Sequence, residues 1–538
     1  MLRISLVLGI SAIAFAAYGQ EVPSSALLPN EALVEHLAPQ PTTGMATPET
    51  EAAAGAEPFI TLTVPEVPPD SIHADRGPIE QPIASANRLT VLFNPGLSPA
   101  QADQALADYG LERIDEQGTA GLRHIGGAVV DASEALESES SIALEAPEEL
   151  ADAPIMELAR RLQADPRFVA VTADAPLTPH QIRSAVQPMV APQAEALDAT
   201  AAETAAVAPG TAEQVDWGIE DMRIADIWPD LTGNFSVGVI DVGFADHEDL
   251  AFEAALPGAL MRHDHGNHVL GIMCALHNDL GVRGVLPNCM AQVSSGAFKL
   301  GSFSPGESGA DRVSGFGVLF SELVATTLDF IVAHPDVKTI NLSLGFNWMP
   351  NFGIDPRAPD AEPFRNMIRV QGRFFASVLA FAKQNDIAIV AAAGNDSSTL
   401  PTPLPAMWAS PFNFGALLVE SLDGWSNGLV VEAHRPDGRR AGFSNAEGHI
   451  SCPGVNVMSA LASARNAYGQ MSGTSMAAPY CAAGLEALRR LRPEATLQAA
   501  LDCLKDGPIQ TGGGVPRLDV MKAMESCAIG PTAGSTVQ

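Results

Sequence analysis

The chain has 538 residues, and its 30 Lys and Arg against 63 Asp and Glu give a formal net charge of −33. This acidic balance argues against nucleic-acid binding, which depends on Lys and Arg neutralising phosphates, and against docking on anionic lipid. Hydrophobic residues make up 46% of the chain and charged residues 17%. This composition excludes wholesale disorder, and the length predicts roughly three to four globular units.

The first 19 residues have the pattern of a secretory signal peptide. Arg3 precedes an apolar stretch from Ile4 to Ala17, and small residues lead to a predicted cut after Gly19. An uncleaved anchor is the alternative, but the stretch is shorter than the roughly 20 apolar residues that span a bilayer. The sequence therefore predicts a secreted or periplasmic protein with no membrane association once the signal is removed. Residues 20–84, rich in Pro, Ala, Glu and Thr, are predicted to be a disordered leader.

A small folded unit is predicted over residues 85–177. Two apolar-patterned helices alternate with three strand candidates, which is one strand short of the β-α-β-β-α-β order of a ferredoxin-like unit. The strands are Arg88–Phe93, Gly126–Val130 and Phe168–Ala173, and the helices are Ser98–Tyr109 and Ile155–Ala164. The acidic run Glu134–Glu149 is expected to be a solvated loop, and residues 178–212 a linker open to proteolysis.

The remainder, residues 213–527, alternates short apolar strands with helical patterns and is followed by a tail at 528–538. Alternation of this kind predicts an α/β fold with a parallel sheet flanked by helices. The expected strands are Ser236–Ile240, Val337–Leu342 and Ile387–Ala392, and the helices between them include Val324–Ala333 and Phe374–Gln384.

Six cysteines all lie in the second half of the chain. An exported protein favours disulfides, and six thiols allow 15 pairings among which sequence alone cannot choose. Nearest-neighbour pairing is our expectation, and buried free thiols are the alternative. The expected pairs are Cys274–Cys289, Cys452–Cys481 and Cys503–Cys527.

Two local patterns place an acid and a base near the ends of predicted elements. Asp241 follows an apolar strand, at the edge where sites assemble in open α/β sheets, although such an Asp is often only a turn former. His265 and His268 lie three apart at a predicted helix start. A zinc site of the His-Glu-x-x-His type is excluded because the spacing and the Glu are missing. A neutral histidine at a helix start can act as a general base, and the alternative is a surface or capping histidine.

Two further patterns place polar groups where chain segments turn. Gly394 and Asn395 end a buried strand, where glycine leaves room for a ligand backbone and an amide donor can stabilise an oxyanion; a plain turn is the alternative. Ser475 starts a long helix of small residues. Serine at a helix start is usually a cap, but the small neighbours would let another chain approach closely.

Taken in order, these segments resemble the subtilisin-like serine peptidases, the subtilase family. The matching segments run in the Asp, His, Ser order of that family and cover roughly Glu213 to Cys527. They read Val-Ile-Asp241-Val-Gly, His265-Gly-Asn-His-Val, Asn341-Leu-Ser343-Leu-Gly345, Ala-Ala-Ala-Gly394-Asn395 and Ser472-Gly-Thr-Ser475-Met-Ala-Ala-Pro479. The unit at 85–177 resembles the inhibitory propeptide of the family in its architecture.

The resemblance implies a doubly wound parallel sheet and a secreted serine endopeptidase that forms an acyl-enzyme. Ser475 would be the nucleophile, His265 the base, Asp241 its orienting partner and Asn395 an oxyanion donor. By this resemblance, polypeptide substrates would pair with a strand edge at the Ser-Leu-Gly motif. The glycine before the oxyanion donor would also line the substrate site. The substrate-binding residues carried over in this way are Ser343, Leu344, Gly345 and Gly394.

The resemblance also implies a zymogen whose own propeptide acts as an intramolecular inhibitor and is cut between Thr178 and Asp216. No cofactor is required, and calcium binding is known in the family although no site is assignable here. Val242 and Asn267 depart from the residues usual in the family, and the segment at residues 346–370 lies where family members are usually more compact. The alternative function is a catalytically silent binding module on the same fold.

Overall fold

A computed structural model gives the fold of the chain. No described helix is both long and apolar enough to cross a membrane. The structure describes residues 87–114, 117–140, 153–179, 213–257, 260–295, 318–348, 355–398, 400–506 and 516–528. The predicted signal peptide, the leader, most of the linker and the end of the tail therefore lie outside the described residues.

The N-terminal unit, residues 87–173, is an antiparallel four-stranded sheet with helices packed on it. Its strand order, β2-β3-β1-β4, agrees with the ferredoxin-like arrangement expected from the sequence. The elements are β1 (Arg88–Phe93), α1 (Pro99–Ala107), β2 (Glu112–Arg113), a 3₁₀ helix (Gln117–Ile125), β3 (Gly127–Asp131), α2 (Ser133–Ser140), α3 (Ala153–Gln163) and β4 (Phe168–Ala173).

Two features of this unit differ from the sequence prediction. The strand that the sequence did not reveal is β2, which has only two residues, both exposed, and so lacks any apolar pattern. The acidic run does not begin as a loop, because Ser133–Ser140 is helical. The carboxylate of Asp131 accepts the backbone N–H of Ser133 at 2.7 Å at the start of this helix, which favours helix there despite the charges.

The larger domain, residues 213–528, is built on a seven-stranded sheet in which all neighbouring strands are parallel. Its order is β14-β13-β12-β10-β6-β8-β7. The chain enters the sheet at β6 and places the later strands on both sides of it, so the switch point lies between β6 and β10. The strands are β6 (Phe235–Ile240), β7 (Phe252–Ala254), β8 (Cys289–Ser294), β10 (Thr339–Leu342), β12 (Ala388–Ala392), β13 (Gly428–His434) and β14 (Ile450–Pro453). The predicted doubly wound α/β fold is confirmed.

Helices cover both faces of this sheet. Alternate strand residues point to opposite cores, so that Val390 packs with α5 and α9 while Ile389 packs with α6, α7 and α8. The helices are α4 (Trp217–Asp221), α5 (Asp264–Cys274), α6 (Phe320–Ala333), α7 (Glu362–Gln384), α8 (Pro411–Asp423), α9 (Thr474–Leu491), α10 (Leu497–Asp506) and α11 (Val520–Ala528). Short 3₁₀ helices span Ile224–Asp230, Pro359–Ala361 and Ala406–Trp408.

The described residues also form two small sheets beside the large one. The hairpin β15 (Val457–Leu461) and β16 (Ala467–Met471) is antiparallel and leads into α9. A three-stranded sheet joins β5 (Pro176–Pro179), β9 (Val318–Leu319) and β11 (Leu344–Gly345), with β5 in the centre. Because β5 directly follows the N-terminal unit in the chain, this sheet links that unit to the larger domain.

The long stretch at residues 346–370 is partly helical, since α7 begins at Glu362 rather than near Phe374. Pro363 lies in its first turn, where proline is well tolerated, and the buried Met367 and Ile368 continue its apolar face. All three predicted disulfides are confirmed: Cys274–Cys289, Cys452–Cys481 and Cys503–Cys527.

Candidate active site

Asp241 lies directly after β6, at the switch point of the large sheet, where open α/β folds form their sites. Its side chain is fully buried. Its Oδ1 atom accepts the backbone N–H of Val242 at 2.8 Å. This bond fixes Oδ1 as an acceptor, so the carboxylate orientation follows from the backbone.

His265 is the second residue of α5, and its ring meets this carboxylate. The distance between His265 Nδ1 and Asp241 Oδ1 is 2.7 Å, and both side chains are fully buried. Because Oδ1 accepts, Nδ1 carries the proton in the neutral ring and Nε2 presents a lone pair. His265 Nε2 is buried and has no hydrogen-bond partner among the described residues. The imidazole is thus oriented as a base with its acceptor nitrogen unoccupied.

The close approach of α5 to the loop after Asp241 explains this contact. A Cβ built on Gly266 would lie 1.9 Å from the carbonyl oxygen of Gly243, so the two segments meet only because residue 266 has no side chain. Asn267, which departs from the family pattern, accepts the N–H of Ala245 at 2.8 Å and donates to its carbonyl at 3.0 Å. This pair of bonds ties the same loop to the helix.

His268, the second histidine of the motif, is bound by backbone carbonyls rather than by a carboxylate. It is fully buried, and its Nε2 lies 2.9 Å from the carbonyl of Val457 and 3.1 Å from that of Gly469. Carbonyls only accept, so Nε2 is the donor nitrogen. Burial lowers the pKa of His268 from 6.5 to about 3. Of the two candidates, only His265 faces the acid.

This burial predicts a loss of stability in acid. Between pH 6.5 and pH 3 the unfolded chain binds a proton at residue 268 that the folded chain excludes, so the free energy of unfolding falls as pH drops. From pH 7 to pH 5 we expect residue 268 to contribute a loss of about 2 kcal/mol. Urea denaturation of the wild type and of His268→Gln at both pH values measures it. Equal losses in the two proteins would contradict the assignment.

Ser475 is the second residue of α9, so its backbone N–H has no acceptor within the helix. Its Oγ donates to the carbonyl of Ser343 at 3.1 Å, and Ser343 Oγ donates to the carbonyl of Ser475 at 3.2 Å. In the part of the chain that the structure describes, no hydrogen bond joins Ser475 to His265. Catalytic hydrogen bonds are often loose in proteins without substrate and form in the Michaelis complex.

Asn395 follows β12, and hydrogen bonds hold the oxygen of its side-chain amide but not the nitrogen among the described residues. Its Oδ1 accepts the backbone N–H and the hydroxyl of Thr474, each at 2.9 Å. These two donors fix the amide orientation and leave Nδ2 as a donor. Nδ2 is buried without a hydrogen-bond partner among the described residues. A buried amide N–H without an acceptor is costly unless it serves a ligand, and a developing oxyanion is such an acceptor.

The predicted substrate residues lie beside Ser475. Leu344 and Gly345 form β11, and β5 already pairs with it in antiparallel register, with Leu344 opposite Pro179 and Gly345 opposite Thr178. Gly394 has φ +102°, a backbone conformation that side chains disfavour, so glycine is required at this turn. Six of the eight predicted site residues follow the carboxyl ends of β6, β10 and β12, and the other two, His265 and Ser475, are hydrogen-bonded to Asp241 and Ser343 there.

Sequence reasoning missed the residues that hold these groups in place. Thr474 orients Asn395, and Asn341 Nδ2 donates to Ser343 Oγ at 2.9 Å. Both belong to motifs that were identified, so their polarity at buried positions was the available signal. No group of three or more His, Cys, Asp or Glu within the described ranges is arranged to hold a metal ion.

A profile of the subtilase family matches residues 232–502, half of the chain. The chain is 26% identical over 290 residues to the minor extracellular protease Epr of Bacillus subtilis strain 168, covering 52% of this chain but only 36% of that protein. It is 28% identical over 292 residues to subtilisin Savinase of Lederbergia lenta, covering 52% of this chain and 87% of that one.

It is 30% identical over 292 residues to a thermostable alkaline protease of Halalkalibacterium halodurans, covering 52% of this chain and 64% of that protein. Among solved structures, fervidolysin of Fervidobacterium pennivorans, a keratinolytic enzyme related to subtilisin, matches with a TM-score of 0.49 and 16% identity, over 82% of this chain and 61% of that one. The family profile covers the segments that carry Asp241, His265, Asn395 and Ser475. The chain belongs to the subtilase family.

Proposed function

We propose that the protein is a secreted serine endopeptidase, made as a zymogen, that hydrolyses peptide bonds through an acyl-enzyme. The observation that carries this proposal is the buried pair of His265 and Asp241, joined at 2.7 Å, in which no described residue bonds to the second ring nitrogen. A neutral imidazole held in this tautomer is the arrangement that a general base requires.

In the proposed reaction, His265 Nε2 takes the proton of Ser475 as the hydroxyl oxygen attacks the scissile carbonyl. The bond between Ser475 and the carbonyl of Ser343 is given up, since a hydroxyl has one proton to donate. Asp241 offsets the positive charge that develops on the ring. The imidazolium then protonates the leaving amine, and water repeats the sequence to release the acid.

The oxyanion of the tetrahedral intermediate is assigned to two donors. One is Asn395 Nδ2, which has no hydrogen-bond partner within the described part of the chain, and the other is the backbone N–H of Ser475 at the start of α9. The helix dipole adds positive potential at this end. Thr474 supports both donors, because it is adjacent to Ser475 in the chain and hydrogen-bonded to Asn395.

Substrate binding is proposed to occur by strand addition along β11. The pairing between β5 and β11 supports this proposal, because an extended segment of the chain itself already lies along this edge in antiparallel register. The buried side chain of Leu177 packs in the same core as Val318 and Leu344. β5 lies between β11 and β9, and binding of an extended peptide between two strands favours an endopeptidase.

The N-terminal unit is proposed to act as an inhibitory propeptide. Asp174, fully buried, accepts the N–H of Ser321 at 2.9 Å in the first turn of α6 and forms an ion pair with Arg88 at 2.9 Å. A Cβ on Gly121 would lie 2.1 Å from the carbonyl oxygen of Ala325, so the unit packs closely against the same helix. The packing of this unit against α6 would keep β5 paired with β11, the proposed substrate-binding strand, until the linker is cut.

Labelling with a fluorophosphonate separates an active peptidase from a silent binding module. After removal of residues preceding the larger domain by self-cleavage, we expect stoichiometric modification of Ser475 and hydrolysis of casein. Tryptic mass spectrometry locates the label, and heat-denatured protein is the control. A folded, processed protein that neither reacts nor hydrolyses casein would favour the binding module and refute the proposal.

A further inference from the structure

A single side chain, Asn445, holds the turn that carries the candidate oxyanion donor. Its Nδ2 donates to Asp396 Oδ2 at 2.9 Å, and its Oδ1 accepts the backbone N–H of Asp396 at 3.1 Å. Its own backbone N–H donates to the carbonyl of Gly394 at 3.0 Å. The residues on both sides of Asn395 are therefore hydrogen-bonded to Asn445, which lies 50 positions further along the chain.

The contact is buried and closely packed. Asn445 is fully inaccessible, and Gly394, Asn395 and Asp396 are buried as well. A Cβ built on Gly394 would lie 2.5 Å from Asn445 Nδ2, so the turn rests directly on this amide. Because packing is this tight, a change at residue 445 must move the turn or leave a void.

Thr474 and Asn445 restrain different parts of the same turn. Thr474 binds the side chain of Asn395 through Oδ1, and its hydroxyl accepts the N–H of Gly394 at 3.1 Å. Asn445 binds the backbone before and after Asn395. A side-chain amide points correctly only when both its backbone and its terminal oxygen are fixed, so neither residue alone defines the direction of Nδ2.

The contact also restrains a carboxyl group adjacent to the donor. Asp396 follows Asn395 in the chain and is buried, and one of its oxygens is engaged by Asn445. A carboxylate free to turn within the oxyanion site would oppose the negative charge that develops there. Holding this oxygen against an amide donor keeps the local potential favourable.

We propose that Asn445 is a positioning residue for transition-state stabilisation, acting through Asn395 without touching substrate. The inference rests on the proposed peptidase function and extends it to a residue outside the recognised motifs. A purely structural residue would lower stability alone. A positioning residue lowers kcat with little change in KM, and its effect depends on the presence of Asn395.

A double-mutant cycle tests this. We expect Asn445→Ala to lower kcat by about 10- to 100-fold with KM within about twofold, which is less than the roughly 10²–10³-fold cost of removing a side-chain oxyanion donor altogether. In the Asn395→Ala background, the same change should lower kcat by less than about threefold. The matched control is Asn427→Ala, since Asn427 is an equally buried amide that donates to the carbonyls of Leu379 and Ile387. This control should lower stability and leave kcat unchanged.

Asn445→Asp provides a second variant if the alanine variant does not fold. It keeps an acceptor for the N–H of Asp396 and replaces the donor with a carboxyl, and we expect the same loss of kcat. Equal effects of residue 445 with and without Asn395, or a kcat loss in Asn427→Ala of the same size, would overturn the inference. A wild-type protein without hydrolysis or fluorophosphonate labelling would instead refute the proposed function.

Discussion

Replacing Ser475 with Ala should abolish peptide hydrolysis, with kcat reduced by more than about 10⁴-fold. The change removes the nucleophile together with the proton that His265 would accept, so both covalent and general-base catalysis are lost. The same variant should accumulate as an uncut chain when it is produced and purified alone, because the proposed maturation is self-cleavage. Hydrolysis of a fluorogenic peptide and intact mass before and after incubation measure the two effects.

The chain contains a matched control for this experiment in a second serine, histidine and aspartate arrangement. Ser451 Oγ lies 3.1 Å from His434 Nδ1, and His434 Nε2 lies 2.9 Å from Asp221 Oδ2. Ser451 is fully buried and donates to the carbonyl of Pro516 at 2.8 Å. We therefore expect Ser451→Ala to keep its turnover and its self-cleavage.

Equal losses in the two serine variants would show that folding, rather than chemistry, explains the effect of Ser475→Ala. Processing of the Ser475→Ala chain in the absence of other peptidases would contradict self-cleavage. Serine, histidine and aspartate in hydrogen-bonding order do not by themselves make a nucleophilic site. Ser451 sits within the strand β14 rather than at a helix start, so it lacks the unpaired backbone donors that surround Ser475.

Residues at the ends of long apolar strands were predictable from sequence because the pattern is local. The strand that ends before Asp241 is buried at every position except Ser236, the strand that ends shortly before Gly394 is buried throughout, and parallel strands bring their carboxyl ends to one edge. His265 was predictable because its motif has the pattern of a helix start, and it is the second residue of α5. These three elements were sufficient to predict the edge of the sheet at which the site lies.

What could not be predicted depends on contacts between distant segments. The role of Asn445 requires that a loop after β13 return to the turn after β12, and no local pattern encodes that return. The pairing of β5 with β11 joins segments more than 160 positions apart. Glu432 interrupts the apolar run of β13 and obscured that strand, although its buried carboxylate accepts the N–H of Gly448 at 3.0 Å.

Asp241→Asn should lower kcat by about 10³-fold while leaving the fold intact. Val242 donates its N–H to Oδ1 at 2.8 Å, so the amide oxygen of Asn should stay in this position and still face His265 Nδ1. The imidazole then keeps its tautomer, and the variant loses mainly the negative charge. An ion pair at about 4 Å in a partly shielded interior is worth about 4 kcal/mol, which corresponds to about 10³ in rate.

The matched control is Asp216→Asn, which changes another buried aspartate of the larger domain. Asp216 accepts the hydroxyl of Tyr480 at 2.6 Å and the N–H of Met458 at 2.9 Å, outside the candidate site. We expect this variant to lose about 1–3 kcal/mol of unfolding free energy, since one buried bond loses its acceptor, with unchanged kcat. Active-site titration corrects both rates for folded protein. If Asp241→Asn retains turnover comparable to Asp216→Asn, the charge on residue 241 does not stabilise the imidazolium and the proposed triad is wrong.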